Sequence, residues 1–100
     1  MSRRCILEDI MNIIENRLEE KPEGSYTVEL ASRGQVYIAR KVGEEAVEVV
    51  VASLREGRER LVQEAVDLIY HLLVLLVING ISIDELRKEV YSRMGGKGDG

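Results

Sequence analysis

Two long stretches of helical periodicity, joined only by Glu56-Gly57, constrain this chain more than any other feature. In the first, residues 35 to 55, Val47, Val49, Val50 and Val51 are β-branched and locally favour strand. The period decides otherwise. At about 100° per residue, Tyr37, Lys41, Glu44, Glu45, Glu48 and Arg55 share one stripe, while Val42, the four valines and Leu54 fill the remainder. A two-residue alternation would split Glu44 from Glu45 and would not separate polar from apolar. The second stretch, Arg58 to about Asn79, carries a polar stripe of Arg60, Glu64, Asp67 and His71 that continues into Val74 and Ile78, and it ends at Asn79-Gly80. So short a connection makes the two helices antiparallel neighbours.

The flanking segments are helical as well. Ile6, Leu7, Ile10, Ile13, Ile14 and Leu18 recur at three-and-four spacing from Cys5 to about Glu20, and Lys21-Pro22-Glu23-Gly24 breaks the pattern. Ser25 caps a shorter helix through Leu30 that Gly34 is expected to close in the left-handed conformation. Ser82-Ile83-Asp84-Glu85 is a capping box, and Leu86, Val90 and Met94 follow on one face. The expected fold is all-α, a single domain over residues 1–94 with a flexible tail over 95–100. With no Trp, no Phe and four Tyr, the core must be filled by Val, Leu and Ile, and so small a core gains from assembly. The surplus apolar residues from Val47 to Leu54 and Leu72 to Ile78 suggest a second hairpin from a partner chain, closing a core like a four-helix bundle. Gly43, inside a helix, signals either close approach to the backbone or a tolerated glycine.

Several functions are disfavoured. The net charge is −4 and the basic residues are scattered, which leaves no footprint for nucleic acid. One cysteine, Cys5, excludes an internal disulfide, and with a single histidine it is too little for a zinc site. The nearly apolar run Leu68–Ile78 contains His71 and is too short to span a membrane. Arg3 and Arg4 are followed by Glu8 and Asp9 rather than by an apolar secretory segment, so a cytoplasmic location is expected. No serine or cysteine is tied to His71 as a nucleophile.

The chemistry is concentrated in the carboxylates. Glu44, Glu45 and Glu48 lean over one patch of the first helix, and Glu64 and Asp67 stand one turn apart on the second. Burying carboxylates without compensation costs several kcal/mol each, so positive charge must be supplied. Lys41 and Arg60, each four residues before a glutamate, offer ordinary salt bridges; a hard cation such as Mg²⁺ neutralises more charge and uses the surplus of acids, and is the preferred reading. His71, four residues after Asp67, is placed either to hydrogen-bond and orient that carboxylate or to sit as a satisfied core histidine. Tyr70 reads as packing, with a hydroxyl that needs a partner.

Glu44-Glu45-x-x-Glu48 followed by Glu64-x-x-Asp67 resembles the EExxE…ExxD signature of the all-α, MazG-like nucleoside-triphosphate pyrophosphohydrolases. Ser25-Tyr26-Thr27, Lys41-Val42-Gly43-Glu44-Glu45 and Asp67-Leu68-Ile69-Tyr70-His71 narrow the resemblance to the phosphoribosyl-ATP pyrophosphatases of histidine biosynthesis, over about Ile10 to Met94. Val66 departs mildly, standing where that family commonly has a smaller residue. The resemblance implies Mg²⁺-dependent hydrolysis of a small nucleotide, phosphoribosyl-ATP, to phosphoribosyl-AMP and pyrophosphate by a homodimer or higher assembly. Glu44, Glu45, Glu48, Glu64 and Asp67 become the metal and catalytic carboxylates, and Lys41, with Arg40 or Arg33, holds the charge of the departing pyrophosphate. The rivals are a related enzyme acting on a dNTP or damaged nucleotide, and a metal-free helical dimerisation module.

Overall fold

The structure, a computed structural model, describes residues 5–95, so the expected tail lies, Gly95 apart, outside the described residues. Five α-helices follow in order: α1 (Ile6–Glu20), α2 (Tyr26–Arg33), α3 (Gln35–Val51), α4 (Arg58–Ile78) and α5 (Ile83–Met94). There is no strand among the described residues, and the fold is all-α.

The turn chemistry explains the boundaries. Lys21 takes the left-handed conformation (φ 52°, ψ 55°) and its N–H caps α1 on the Arg17 carbonyl, ahead of Pro22. The Ser25 side chain accepts from the Val28 N–H, as its N-cap position requires. Gly34 closes α2, but not in the left-handed helical well: its backbone lies at φ 93°, ψ 167°, and Gly57 adopts nearly the same pair, 94° and 174°. That region is open essentially to glycine alone, and it lets one residue both end a helix and begin the next. Before Gly57 the chain widens into a π-helical turn, Ala52–Glu56, in which the Gly57 N–H reaches back to the Ala52 carbonyl at 3.2 Å. Nothing in the residue pattern announces this turn. At the other end of α4, Gly80 bonds to Val77 and Ile81 to Leu76, the paired bonds of a Schellman stop. Both halves of the capping box at Ser82 and Glu85 are formed.

The antiparallel pair α3 and α4 makes the most extensive helix contact in the chain, and α1 packs across α4. The core cluster is Met11, Ile14, Leu30, Ile38, Leu73 and Val74, drawn from the first four helices, with Leu75 to Ile78 packed against it. α5 contributes no buried residue, and Val90 and Met94 stay exposed.

One expectation needs correction. The last turns of α4 are used by this chain's own core; the uncovered apolar stripe lies earlier, at Val62, Val66, Ile69 and Leu72, beside Val47, Val50, Val51 and Leu54. Of the two readings of Gly43, the tolerated glycine is the one that fits: an added Cβ there meets nothing within 4 Å among the described residues. By length and composition alone α4 is apolar enough to cross a membrane, which the shorter run Leu68–Ile78 did not suggest. It packs against α1, α2 and α3, and its Glu64 and His71 are buried.

Candidate active site

The hairpin brings α3 and α4 together so that Glu45, Glu64 and Asp67 each present a carboxylate oxygen, all within 4.8 Å of one another. Adjacent residues on a helix point about 100° apart, so of Glu44 and Glu45 only one can face the partner helix. Glu45 does, with a side chain 14% exposed. Glu44 turns outward to Arg40, at 3.8 Å. Glu48 is exposed, stands outside the trio, and makes no ion pair among the described residues.

Both ordinary ion pairs are present. Lys41 Nζ lies 3.8 Å from Glu45, and Arg60 Nη2 lies 2.5 Å from the buried Glu64 while its Nε approaches Glu56 at 3.7 Å. Two cations against the three carboxylates leave negative charge uncompensated, before Glu48 is counted. The effect is visible on Glu45, whose pKa is raised from its ordinary value by burial first, then by the Asp67 charge, then by a hydrogen bond with Glu64 that only a protonated carboxyl can make; His71 and Lys41 offset this only in part.

His71 does not meet the Asp67 carboxylate. Its Nδ1 lies 2.7 Å from the Asp67 backbone carbonyl, and its Nε2 lies 2.8 Å from the Tyr26 hydroxyl. In the neutral ring Nδ1 therefore carries the hydrogen and donates to the carbonyl, and Tyr26 donates to Nε2. Next to it Thr27, fully buried, hydrogen-bonds the Tyr70 hydroxyl, which supplies the partner that Tyr70 required. The two bonds clamp the start of α2 onto the middle of α4, with Tyr26 and Tyr70 each edge-on to the His71 ring at 5.8 and 6.0 Å. Burial raises the pKa of both phenols; for Tyr26 the Lys41 charge opposes this and the Tyr37, Glu45 and Asp67 charges reinforce it, so Tyr26 borders the acidic group. Residue spacing had not placed Tyr26 here: only its membership of the Ser25-Tyr26-Thr27 motif marked it.

Of the other expected cations, Arg33 ends α2 and Arg40 lies on α3, one residue before Lys41. Arg33 and Arg40 place their guanidinium carbons 5.1 and 5.6 Å from the Tyr37 ring centroid, and Arg33 also pairs with Glu29 at 3.2 Å.

Fold and site together define an all-α protein with a candidate hard-cation centre set between the two helices of a hairpin. A family model for phosphoribosyl-ATP pyrophosphohydrolase matches residues 7–94. A phosphoribosyl-ATP pyrophosphatase of Metallosphaera sedula is 66% identical over 89 residues, covering 89% of this chain and 96% of its own length. Its namesake from Sulfurisphaera tokodaii is 53% identical, over 89% of this chain and 95% of its own, and one from Saccharolobus islandicus 49%, over 88% and 94%. The chain belongs to the phosphoribosyl-ATP pyrophosphohydrolase family.

Proposed function

We propose that this chain hydrolyses phosphoribosyl-ATP to phosphoribosyl-AMP and pyrophosphate in histidine biosynthesis, in the cytoplasm, at the carboxylates between α3 and α4. The observation that carries this reading is the meeting of Glu45, Glu64 and Asp67 within 4.8 Å, in a chain whose family acts on a phosphoanhydride. The donor set fits Mg²⁺: all oxygen, crowded, and short of positive charge. Glu45, Glu64 and Asp67 would hold the ion, with Glu48, one turn beyond Glu45, as a further ligand and Glu44 at the rim. Mg²⁺, when bound, supplies charge to the triphosphate oxygens and to the departing pyrophosphate.

The protein groups do the rest. Arg60 holds Glu64 in place through its ion pair, and Lys41 reaches over the cluster, where it holds phosphate oxygens. A carboxylate of this set that is not spent on the cation takes the proton of a water as its oxygen bonds to the α-phosphorus. The bond from the α-phosphorus to the bridging oxygen breaks, and pyrophosphate leaves. Tyr26 and His71 wall the cluster on the α2 side and bring the start of that helix to the site.

We also infer that two copies pair through Val47, Val50, Leu54, Val62, Val66 and Ile69, because these side chains are left uncovered in one contiguous hairpin.

Hydrolysis in ¹⁸O-labelled water, with phosphoribosyl-ATP run beside a panel of dNTPs, tests the reaction. The label is expected in phosphoribosyl-AMP, with phosphoribosyl-ATP the preferred substrate. Label in pyrophosphate, or preferred turnover of a dNTP, would refute the assignment.

A further inference from the structure

Arg33 and Arg40, which the resemblance would place on the departing pyrophosphate, take no part in the ion pairs of the carboxylate trio among the described residues and are free for another role. Arg33, the last residue of α2, and Arg40, three residues after Tyr37 on α3, converge on a single aromatic ring, their guanidinium carbons 5.1 and 5.6 Å from its centroid. The backbone at Gly34 (φ 93°) makes this possible by turning α2 directly into α3. Tyr37 itself is packed against the core, so the ring is a fixed support.

We propose that this Arg33-Tyr37-Arg40 platform binds the phosphate of the phosphoribosyl group and is what distinguishes the substrate from ATP; this rests on phosphoribosyl-ATP being the substrate.

The substrate has two anionic ends, the triphosphate and a phosphate monoester on the ribose carried by the adenine ring. A phosphate monoester bears a charge of about −1.5 to −2 near neutral pH. Beside a group of carboxylates such a charge is repelled, so the second end needs cations of its own. Lys41 and Arg60 are engaged with Glu45 and Glu64; among the described residues Arg33 and Arg40 pair with the solvent-exposed Glu29 and Glu44, and exposed pairs of this kind exchange at little cost. Their side chains are 52% and 66% exposed, which leaves the guanidinium forks open to a ligand. Stacking on one ring holds the two forks in place before the ligand arrives, the arrangement in which arginine takes phosphate through paired N–H bonds.

Position agrees with chemistry. Tyr37, Lys41 and Glu45 lie on one stripe of α3, and eight residues separate Tyr37 from Glu45, about 12 Å along the axis. That exceeds the span of a diphosphate held at the carboxylates and matches an adenosine laid along the helix. ATP has the triphosphate, ribose and adenine but not the second phosphate, so it would leave the platform empty.

Steady-state hydrolysis of phosphoribosyl-ATP with Mg²⁺, together with inhibition by inorganic pyrophosphate, tests this with Arg33→Ala, Arg40→Ala and Arg40→Lys. Each alanine variant is expected to raise KM about tenfold or more, with kcat within about twofold and pyrophosphate inhibition unchanged. Arg40→Lys should recover only part of the loss, because it keeps the charge without the fork. An unaltered KM, or weakened pyrophosphate inhibition in step with the KM change, would overturn the inference and leave the substrate reading intact. A wild-type protein that does not turn over phosphoribosyl-ATP would remove both.

Discussion

The two faces of the α3–α4 hairpin break the usual surface pattern in opposite ways. On one face Glu45 and Glu64 are largely buried, and Asp67 joins them to make an acidic group with too few cations. On the other, Val47, Val62 and Val66 are 62%, 58% and 58% exposed, with Leu54 and Val50 beside them. A free-standing monomer has reason to do neither, since a buried charge is costly and an exposed valine forgoes about 1.5–3 kcal/mol of burial. The polar groups nearby are nonetheless satisfied: Tyr26 with His71, Thr27 with Tyr70, Arg60 with Glu64. The two faces of the hairpin thus stand apart from these satisfied groups, and what each lacks is different. On the proposed reading the acidic face takes a cation and the apolar face a second copy.

The largest effect should come from the acidic face. Glu48→Ala and Asp67→Ala, made separately, are each expected to lower kcat for pyrophosphate release about a hundredfold or more with the fold retained, as read by an initial-rate assay beside far-ultraviolet circular dichroism. Normal release from both variants would remove these carboxylates from the site. Next comes the apolar face. Val66→Glu should convert a dimer at micromolar concentration to a monomer in sedimentation velocity, and a monomeric wild type would end that half of the comparison.

Thr27→Val probes the seam that separates the two faces. The loss of a buried hydrogen bond and the stranding of the Tyr70 hydroxyl should cost about 1–3 kcal/mol in urea unfolding, with the oligomeric state unaltered. A smaller and more particular effect follows from Glu45. Its carboxyl pKa is raised in the folded chain, so the stability it contributes is present at low pH and is lost as pH rises through that raised value, above the ordinary 4.5. In chelator, melting temperatures of wild type and Glu45→Gln should diverge in favour of the variant as pH climbs through this window, and Mg²⁺ should close the gap. A constant difference at all pH values would contradict the crowding of charge at this position.

Much of this was readable from residues, and the reason is local chemistry. Ser25, Gly57 and the Ser82-Glu85 box act within a few residues of themselves, so the helices they bound could be named from the chain. The stripe of Glu44, Glu45 and Glu48 was legible for the same reason. Which of the three faces α4 was not, because that depends on how one helix is rotated against another. Tyr26 and His71 are forty-five residues apart, and only the packing of α2 on α4 brings them together. The π-helical turn at Ala52–Glu56 is a matter of how α3 must end to meet Gly57, which no periodicity records. The uncovered stripe lies earlier in α4 than its apolar run suggests, since the last turns pack against this chain's own core.

On the proposed reading the carboxylates between α3 and α4 work by holding a divalent cation for the triphosphate. The most direct test is pyrophosphate release from phosphoribosyl-ATP measured with Mg²⁺, after chelation, and after Mg²⁺ is restored. Release that stops on chelation and returns with the metal is the predicted result; release at an unchanged rate in chelator would contradict it.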